Sequence, residues 1–219
     1  MSLWSDLLSE TLRHADGDAL TALQNLEVAA LTGHLSGMSG PLLAYAERIG
    51  QAEDKVAGGA DIARMSELLT LAQFGAGSMG SAVAAIYECA EAETGLESLF
   101  VSKFLTEIVL RRETCPALFP QDLLQRHDVG RQQLMETSAR PALSEIIDRA
   151  RETVDRASIP DSAMSRPRLA KLIFYERKLL SKRLTKLSSN PCVAGPIDLG
   201  LWDRIATRIS LRLRKRPSP

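Results

Sequence analysis

Three glycines, spaced as in a nucleotide-binding loop, form the sharpest chemical pattern in the sequence. Gly75, Gly77 and Gly80 match G-x-G-x-x-G, a loop whose backbone N–H groups approach a pyrophosphate at a helix N-terminus. That chemistry needs a strand before the glycines and a second strand ending in an acidic residue about 20 residues later. The flanking residues have helical spacing instead. We therefore expect either a turn between two helices or small residues that let two helices pack closely.

Metal-binding and nucleophile patterns are weak. His14, His34 and His127 are isolated from other ligand-type side chains on the predicted helices, so no metal site is expected. The serines lack the G-x-S-x-G turn of a hydrolase. Three distant cysteines with no C-x-x-C pair fit a reducing compartment better than a disulfide framework.

Two predicted helices near the C-terminus carry a large share of the basic residues. The helix over 168–187 combines an apolar stripe with a basic face, and a last helix over 197–213 does the same. A basic amphipathic helix can lie on anionic lipid headgroups, or it can pack its apolar stripe on the domain. Nucleic acid is not the expected partner, because aromatic stacking residues are scarce. The candidate membrane-surface residues of the last helix are Trp202, Arg204, Arg208 and Arg212.

The segment over 118–129 resembles part of the squalene and phytoene synthases. It reads Leu-Phe-Pro-Gln-Asp-Leu-Leu-Gln-Arg-His-Asp-Val and follows a predicted apolar helix over 96–112. In that family a similar segment follows a helix bearing an Asp-rich motif. The predicted helices over 141–157 and 168–187 are also similar to helices of the family. The resemblance covers about the C-terminal half of the chain, and it implies an all-helical, isoprenoid-synthase-like fold.

The metal-binding aspartates of that family are missing. Active members hold magnesium and a prenyl diphosphate between two D-x-x-x-D helices, because carboxylates at i and i+4 face one side. At the position of the second motif, residues 107–113 contain no aspartate pair. The resemblance thus implies that the chain needs no cofactor. It also implies a degenerate, non-catalytic branch of the family, similar to the members that act as assembly factors of respiratory complex I. Residues that could still hold a diphosphate or another ligand are Arg111, Arg112, Tyr175 and Arg177.

Helical periodicity runs through most of the sequence, and no convincing period-two strand occurs. We predict an all-α fold, with residues 1–219 forming a single domain of about 9–11 helices. A helix capped by Asp18 would bear an apolar stripe of Leu20, Leu23, Leu26 and Ala30. From Pro41 onward the predicted helices span about 41–49, 61–73, 78–93, 96–112, 121–126, 141–157, 168–187 and 197–213.

The charges are divided unevenly although the formal net charge is 0. Residues 1–97 contain 4 Lys/Arg and 14 Asp/Glu, whereas residues 98–219 contain 23 Lys/Arg and 13 Asp/Glu. The two halves could attract each other, or the basic half could face an anionic partner. The first residues do not resemble a signal peptide, and no apolar run approaches the ~20 residues of a membrane span. The expected location is cytoplasmic, with peripheral contact at the inner membrane surface.

Three hypotheses for function follow. The first is a non-catalytic, squalene/phytoene-synthase-like protein that binds a partner protein or a prenyl lipid at a membrane surface. The second is a divergent prenyl-diphosphate transferase that uses Arg111 and Arg112 near the diphosphate and requires magnesium. The third is a nucleotide-binding protein built on the glycines of residues 75–80. We favour the first, because the aspartate pairs are missing and the residues around the glycines have helical spacing.

Overall fold

A computed structural model describes residues 40–59, 61–158 and 160–192, which fold into helices joined by short turns. No strand occurs among these residues, which confirms the predicted all-α class. The helices predicted before residue 31 and over 197–213 lie outside the described residues. The α-helices are α1 (Gly40–Ala57), α2 (Met65–Ala72), α3 (Ser78–Ile86), α4 (Glu93–Leu110), α5 (Gln121–Arg126), α6 (Arg140–Arg156), α7 (Asp161–Met164) and α8 (Pro167–Ser189).

Helix α4 lies at the centre of the described core. Its side chains are buried around nearly the whole circumference, as expected of a helix that is surrounded by protein. Helices α3 and α6 pack extensively against it, and α8 packs on both α6 and α4. The Ser102 hydroxyl donates a 2.6 Å hydrogen bond to the Ala150 carbonyl and so joins α4 to α6. One contiguous cluster of buried apolar side chains runs through these helices.

Helices α2 and α3 are continuous through a π-helical turn at Gln73–Gly77. The resulting helix, Met65–Ile86, is long and apolar enough to cross a membrane by length and composition, contrary to the expectation from sequence. The expectation that no segment is long enough was wrong, because the glycines of residues 75–80 led to a prediction of two shorter helices in place of one. In the structure 67% of its most apolar window is buried inside the protein, which is typical of a core helix.

The start of α2 differs from the prediction. The predicted helix over 61–73 begins at Asp61, whereas α2 begins at Met65. The chain before α2 is paired with the start of α5. Gln121 N–H donates to the Ile62 carbonyl at 3.0 Å, and Met65 N–H donates to Asp122 Oδ1 at 3.1 Å. A carboxylate 57 residues away in sequence therefore caps the helix.

Other boundaries agree more closely. Helix α5 has the predicted bounds, and α6 and α8 lie within two residues of theirs. Helix α1 continues beyond the predicted end at Ile49, and α3 ends at Ile86 instead of Glu93. Gly95, which separates the predicted helices over 78–93 and 96–112, lies inside α4, where a Cβ would stand 2.5 Å from the Ser158 carbonyl oxygen. This glycine allows the chain after α6 to approach the start of α4.

Candidate functional site

A group of charged side chains lies between α4 and α8. Lys103, Glu107 and Arg111 occupy positions i, i+4 and i+8 of α4 and its C-cap, so they share one side of the helix. Glu176 and Arg183 come from α8. We call these five residues the α4–α8 seam.

The seam is held by ion pairs across the helix interface and by a pair between Glu107 and Arg111 on α4 itself. Lys103 Nζ lies 3.3 Å from Glu176 Oε2, and the two side chains are only 7% and 14% exposed. Glu107 uses both carboxylate oxygens, with Oε2 3.2 Å from Arg111 Nε and Oε1 3.6 Å from Arg183 Nη1. Charges removed from water are costly unless they are paired. The opposite charges of the seam therefore stabilise one another at the contact of α4 with α8.

The seam does not have the donor set for magnesium. Mg²⁺ is bound through carboxylate oxygens, but the residue four positions after Glu107 is Arg111, whose cation repels a metal. Glu107 and Glu176 are each bonded to cationic side chains. Among the residues that the structure describes, no group of three or more His, Cys, Asp or Glu could hold an ion. The residues of the seam do not fit the metal that prenyl coupling requires.

The cavity next to the seam is very small. It lies between Leu99, Phe100 and Leu180, is also lined by Lys103 and Glu176, and has a volume of about 10 Å³. Such a space admits about one water molecule. A prenyl chain of several isoprene units does not fit there, so the geometry at this interface disfavours an enclosed lipid.

Arg111 and Arg112, which sequence analysis placed together near a diphosphate, have different surroundings. Arg111 joins the seam, whereas the Arg112 side chain is almost fully buried. Arg112 donates to the carbonyls of Leu134 at 2.8 Å, Val109 at 2.9 Å and Cys192 at 2.6 Å. Its guanidinium therefore connects the end of α4 to the chain that follows α8. Ligand binding by Arg111 stays a prediction.

Burial of the Arg112 guanidinium lowers its pKa, while the acidic groups of Cys192 and Glu113 act in the opposite direction. Burial disfavours a charged group, yet an arginine remains protonated in proteins. The carbonyl oxygens that accept hydrogen bonds from the Arg112 guanidinium compensate for the water that this group loses on burial. The arrangement gives Arg112 a structural role, and ligand binding by this residue stays a prediction.

Tyr175 and Arg177 are not brought together by the structure. They lie two residues apart on α8 and so point to different sides of the helix. Tyr175 is buried next to Leu179 in a small cluster separate from the main core, and Arg177 is half-buried. The predicted membrane-surface residues lie outside the described residues; they are Trp202, Arg204, Arg208 and Arg212.

The three glycines do not form a phosphate-binding loop. They lie inside the continuous helix Met65–Ile86, and the described residues before them include no strand. A Cβ on Gly80 would stand 2.5 Å from the Glu97 nitrogen and the Leu96 carbonyl carbon. Gly80 therefore allows close packing of α3 on α4, the second of the two predicted alternatives. The geometry that the nucleotide hypothesis requires is not present.

An open groove of about 500 Å³ borders the π-helical turn. Glu97 lines it and accepts hydrogen bonds from Ser81 Oγ at 2.6 Å and from Gln73 Nε2 at 3.0 Å. These bonds join α4 to the continuous helix. The Glu97 carboxylate therefore holds the continuous helix against α4 at the edge of this groove.

Sequence reasoning missed Lys103, Glu176 and Arg183. A signal for Lys103 was available, because a lysine four residues before a glutamate inside an otherwise apolar helix requires charged partners at an interface. The partners themselves could not be read from spacing. Glu176 lies 73 residues after Lys103.

Comparisons of the chain with protein-family models, with curated proteins and with solved structures give no match. The described residues form an all-α fold in which ion pairs join helices α4 and α8. The resemblance to the squalene and phytoene synthases stays a prediction from the sequence.

Proposed function

We propose that the chain is a non-catalytic binding or assembly protein that acts through its outer surface at an anionic membrane. The α4–α8 seam is the observation that supports this proposal. A prenyl-coupling enzyme needs carboxylates for magnesium, whereas the carboxylates of the seam, Glu107 and Glu176, are bonded to cationic side chains. A seam whose carboxylates are engaged in ion pairs suits a scaffold better than a metal-dependent catalyst.

The small cavity favours surface binding within this proposal. The space of about 10 Å³ between α4 and α8 accommodates no lipid tail. A prenyl lipid would therefore have to bind elsewhere or open this interface. A partner recognised at the surface requires no such opening.

Basic residues toward the C-terminus supply the attraction to anionic lipid. Residues 204–216 contain six cations, and at about 1 kcal/mol each they set an upper limit of roughly 6 kcal/mol. The cost of ordering the chain on a surface reduces that value. We expect weak, reversible attachment.

Co-sedimentation with phosphatidylserine vesicles tests the proposal. The full chain is expected to bind at low salt and to dissociate at physiological salt, because the Debye length falls from ~30 Å at 0.01 M to ~8 Å at 0.15 M. Replacing Arg204, Arg208 and Arg212 together by serine should abolish most of the binding.

A matched control removes the same amount of charge from another place. Arg140, Arg149 and Arg156 are exposed on α6, and their joint replacement by serine should leave most vesicle binding intact. Absence of binding at low salt, or an equal loss in both triple variants, would contradict a membrane role for residues 204–212.

The Ile205→Asp variant distinguishes lipid contact from packing on the domain. If the apolar stripe of residues 201–213 contacts lipid, this variant should lose vesicle binding while its melting temperature stays near that of the parent. A large fall in melting temperature would show that the stripe packs on the domain.

A further inference from the structure

Helix α8 carries a second buried stripe in addition to the side that contributes to the main core. Ile173, Leu180 and Leu184 belong to the main cluster of buried apolar residues. Tyr175 and Leu179 form a separate cluster and are only 5% and 8% exposed. Because they are four residues apart, they lie together on a different side of the helix.

Basic residues flank this stripe at both ends. Arg168 precedes Tyr175 by seven residues, and Lys186 follows Leu179 by seven, so each lies about two helical turns away on the same side. Lys182 follows Leu179 by three residues and continues the stripe. We call the surface formed by Arg168, Tyr175, Leu179, Lys182 and Lys186 the second face of α8.

Two parts of the chain outside the described ranges are long enough to cover the second face. Residues 1–39 contain five Asp/Glu and one Arg, a formal charge of 1 − 5 = −4. Residues 193–219 contain six Lys/Arg and two Asp, a formal charge of 6 − 2 = +4. A surface whose three charged members are cations attracts the first of these segments and repels the second.

The acidic segment also has apolar residues to match Tyr175 and Leu179. Leu20, Leu23 and Leu26 recur at intervals of three residues, a spacing that can place them on one side of a helix. The segment thus combines an apolar stripe with carboxylates, and the second face combines apolar side chains with cations.

We propose that residues 1–39 cover the second face of α8, with their acidic side chains next to its basic ones. This contact joins the acidic beginning of the sequence to the basic helix near its end. It does not depend on the proposed function, because vesicle binding through residues 204–212 can fail or succeed independently.

Photo-crosslinking in the full chain tests the proposal. p-Benzoylphenylalanine placed at Tyr175 keeps an aromatic side chain on the second face, and irradiation links it to the segment that covers it. Peptide mass spectrometry is expected to find the main crosslink within residues 1–39 of the same molecule. Main crosslinks to residues 193–219, to residues 40–192 or to a second copy of the chain would overturn the proposal.

Position 182 provides a second probe if the substitution at Tyr175 prevents folding. Lys182 lies on the same stripe and is half-buried, so the photoreactive residue there should crosslink to the same segment. Ser181 is exposed and points to a different side of α8, which makes it a matched control. Equal crosslinking to residues 1–39 from positions 181 and 182 would also overturn the proposal.

Discussion

Lys103 Nζ lies 3.3 Å from Glu176 Oε2, and this pair joins the central helix α4 to the basic helix α8 beside a cavity of about 10 Å³. Both side chains are largely withdrawn from water. Removing one member of such a pair leaves the other charge buried without compensation. The pair therefore specifies how α8 sits on α4, whether or not it adds net stability compared with apolar residues.

Lys103→Met is expected to lower the free energy of unfolding by about 3 kcal/mol, because the Glu176 carboxylate loses its close cation in a buried place. The double variant Lys103→Met/Glu176→Leu should recover to within ~1 kcal/mol of the parent, since an apolar pair can replace a buried ion pair. Urea denaturation measures both values. A double variant as unstable as the single one would show that the charges do not act as a pair.

Arg112→Lys should lower the free energy of unfolding by more than ~2 kcal/mol, because an ammonium group cannot reproduce the guanidinium fork that reaches three carbonyls. Arg111→Lys is the matched control, since Arg111 is about one-third exposed, and its cost should stay below ~1 kcal/mol. Chemical denaturation compares the two variants. Equal losses would contradict the different roles assigned to these neighbouring arginines.

Gly80→Ala should lower the free energy of unfolding by about 1–3 kcal/mol, because the new methyl group would meet the α4 backbone at 2.5 Å. Gly77→Ala is expected to cost less, since its Cβ would meet the end of the flexible Gln73 side chain at 3.1 Å. Thermal unfolding of both variants checks this order. The reverse order would show that Gly80 is not the site of close helix packing.

Glu145 is expected to contribute a pH-dependent stabilisation. Burial alone would raise its pKa, but hydrogen bonds from His127 and Arg126 lower the pKa below the ordinary value of 4.5. A lowered folded-state pKa stabilises the protein above the unfolded-state pKa, and this contribution disappears as the pH falls through the folded-state value. Glu145→Gln should therefore be less stable than the parent at neutral pH, with a difference that vanishes in strong acid.

The pH series needs a control for the loss of a negative charge. Asp148 is an exposed carboxylate on the same helix, and Asp148→Asn should show a smaller change between neutral and acidic solution. Urea denaturation at several pH values gives the comparison. A Glu145→Gln difference that does not vary with pH would mean that its hydrogen bonds to His127 and Arg126 do not produce the effect.

Sequence patterns predicted the all-α class and the positions of α5, α6 and α8, because apolar spacing and prolines in first turns act locally. They failed at the start of α2, where the cap is Asp122, 57 residues from Met65. Sequence patterns also predicted two helices where the structure has the single helix Met65–Ile86. The glycines in this helix are read locally as a break, because local propensity contains no information about α4, the neighbouring helix against which a small residue is favourable.

The seam illustrates the same limit for the candidate site. The charges of Lys103, Glu107 and Arg111 and their shared side of a helix are evident from spacing alone. Their partners on α8 depend on how two helices pack, which spacing does not give. Arg112 could not be predicted in the same way. From the sequence an arginine is expected at the surface, but the fold buries this side chain against backbone carbonyls.

Incubation of the full chain with magnesium and farnesyl diphosphate, followed by an assay for inorganic pyrophosphate, tests most directly whether the α4–α8 seam is a scaffold and not a catalytic site. An ion-paired seam without a metal-binding carboxylate set predicts no pyrophosphate above that of a protein-free control. Pyrophosphate release that requires magnesium, and that is lost in a folded Glu107→Gln variant, would contradict it.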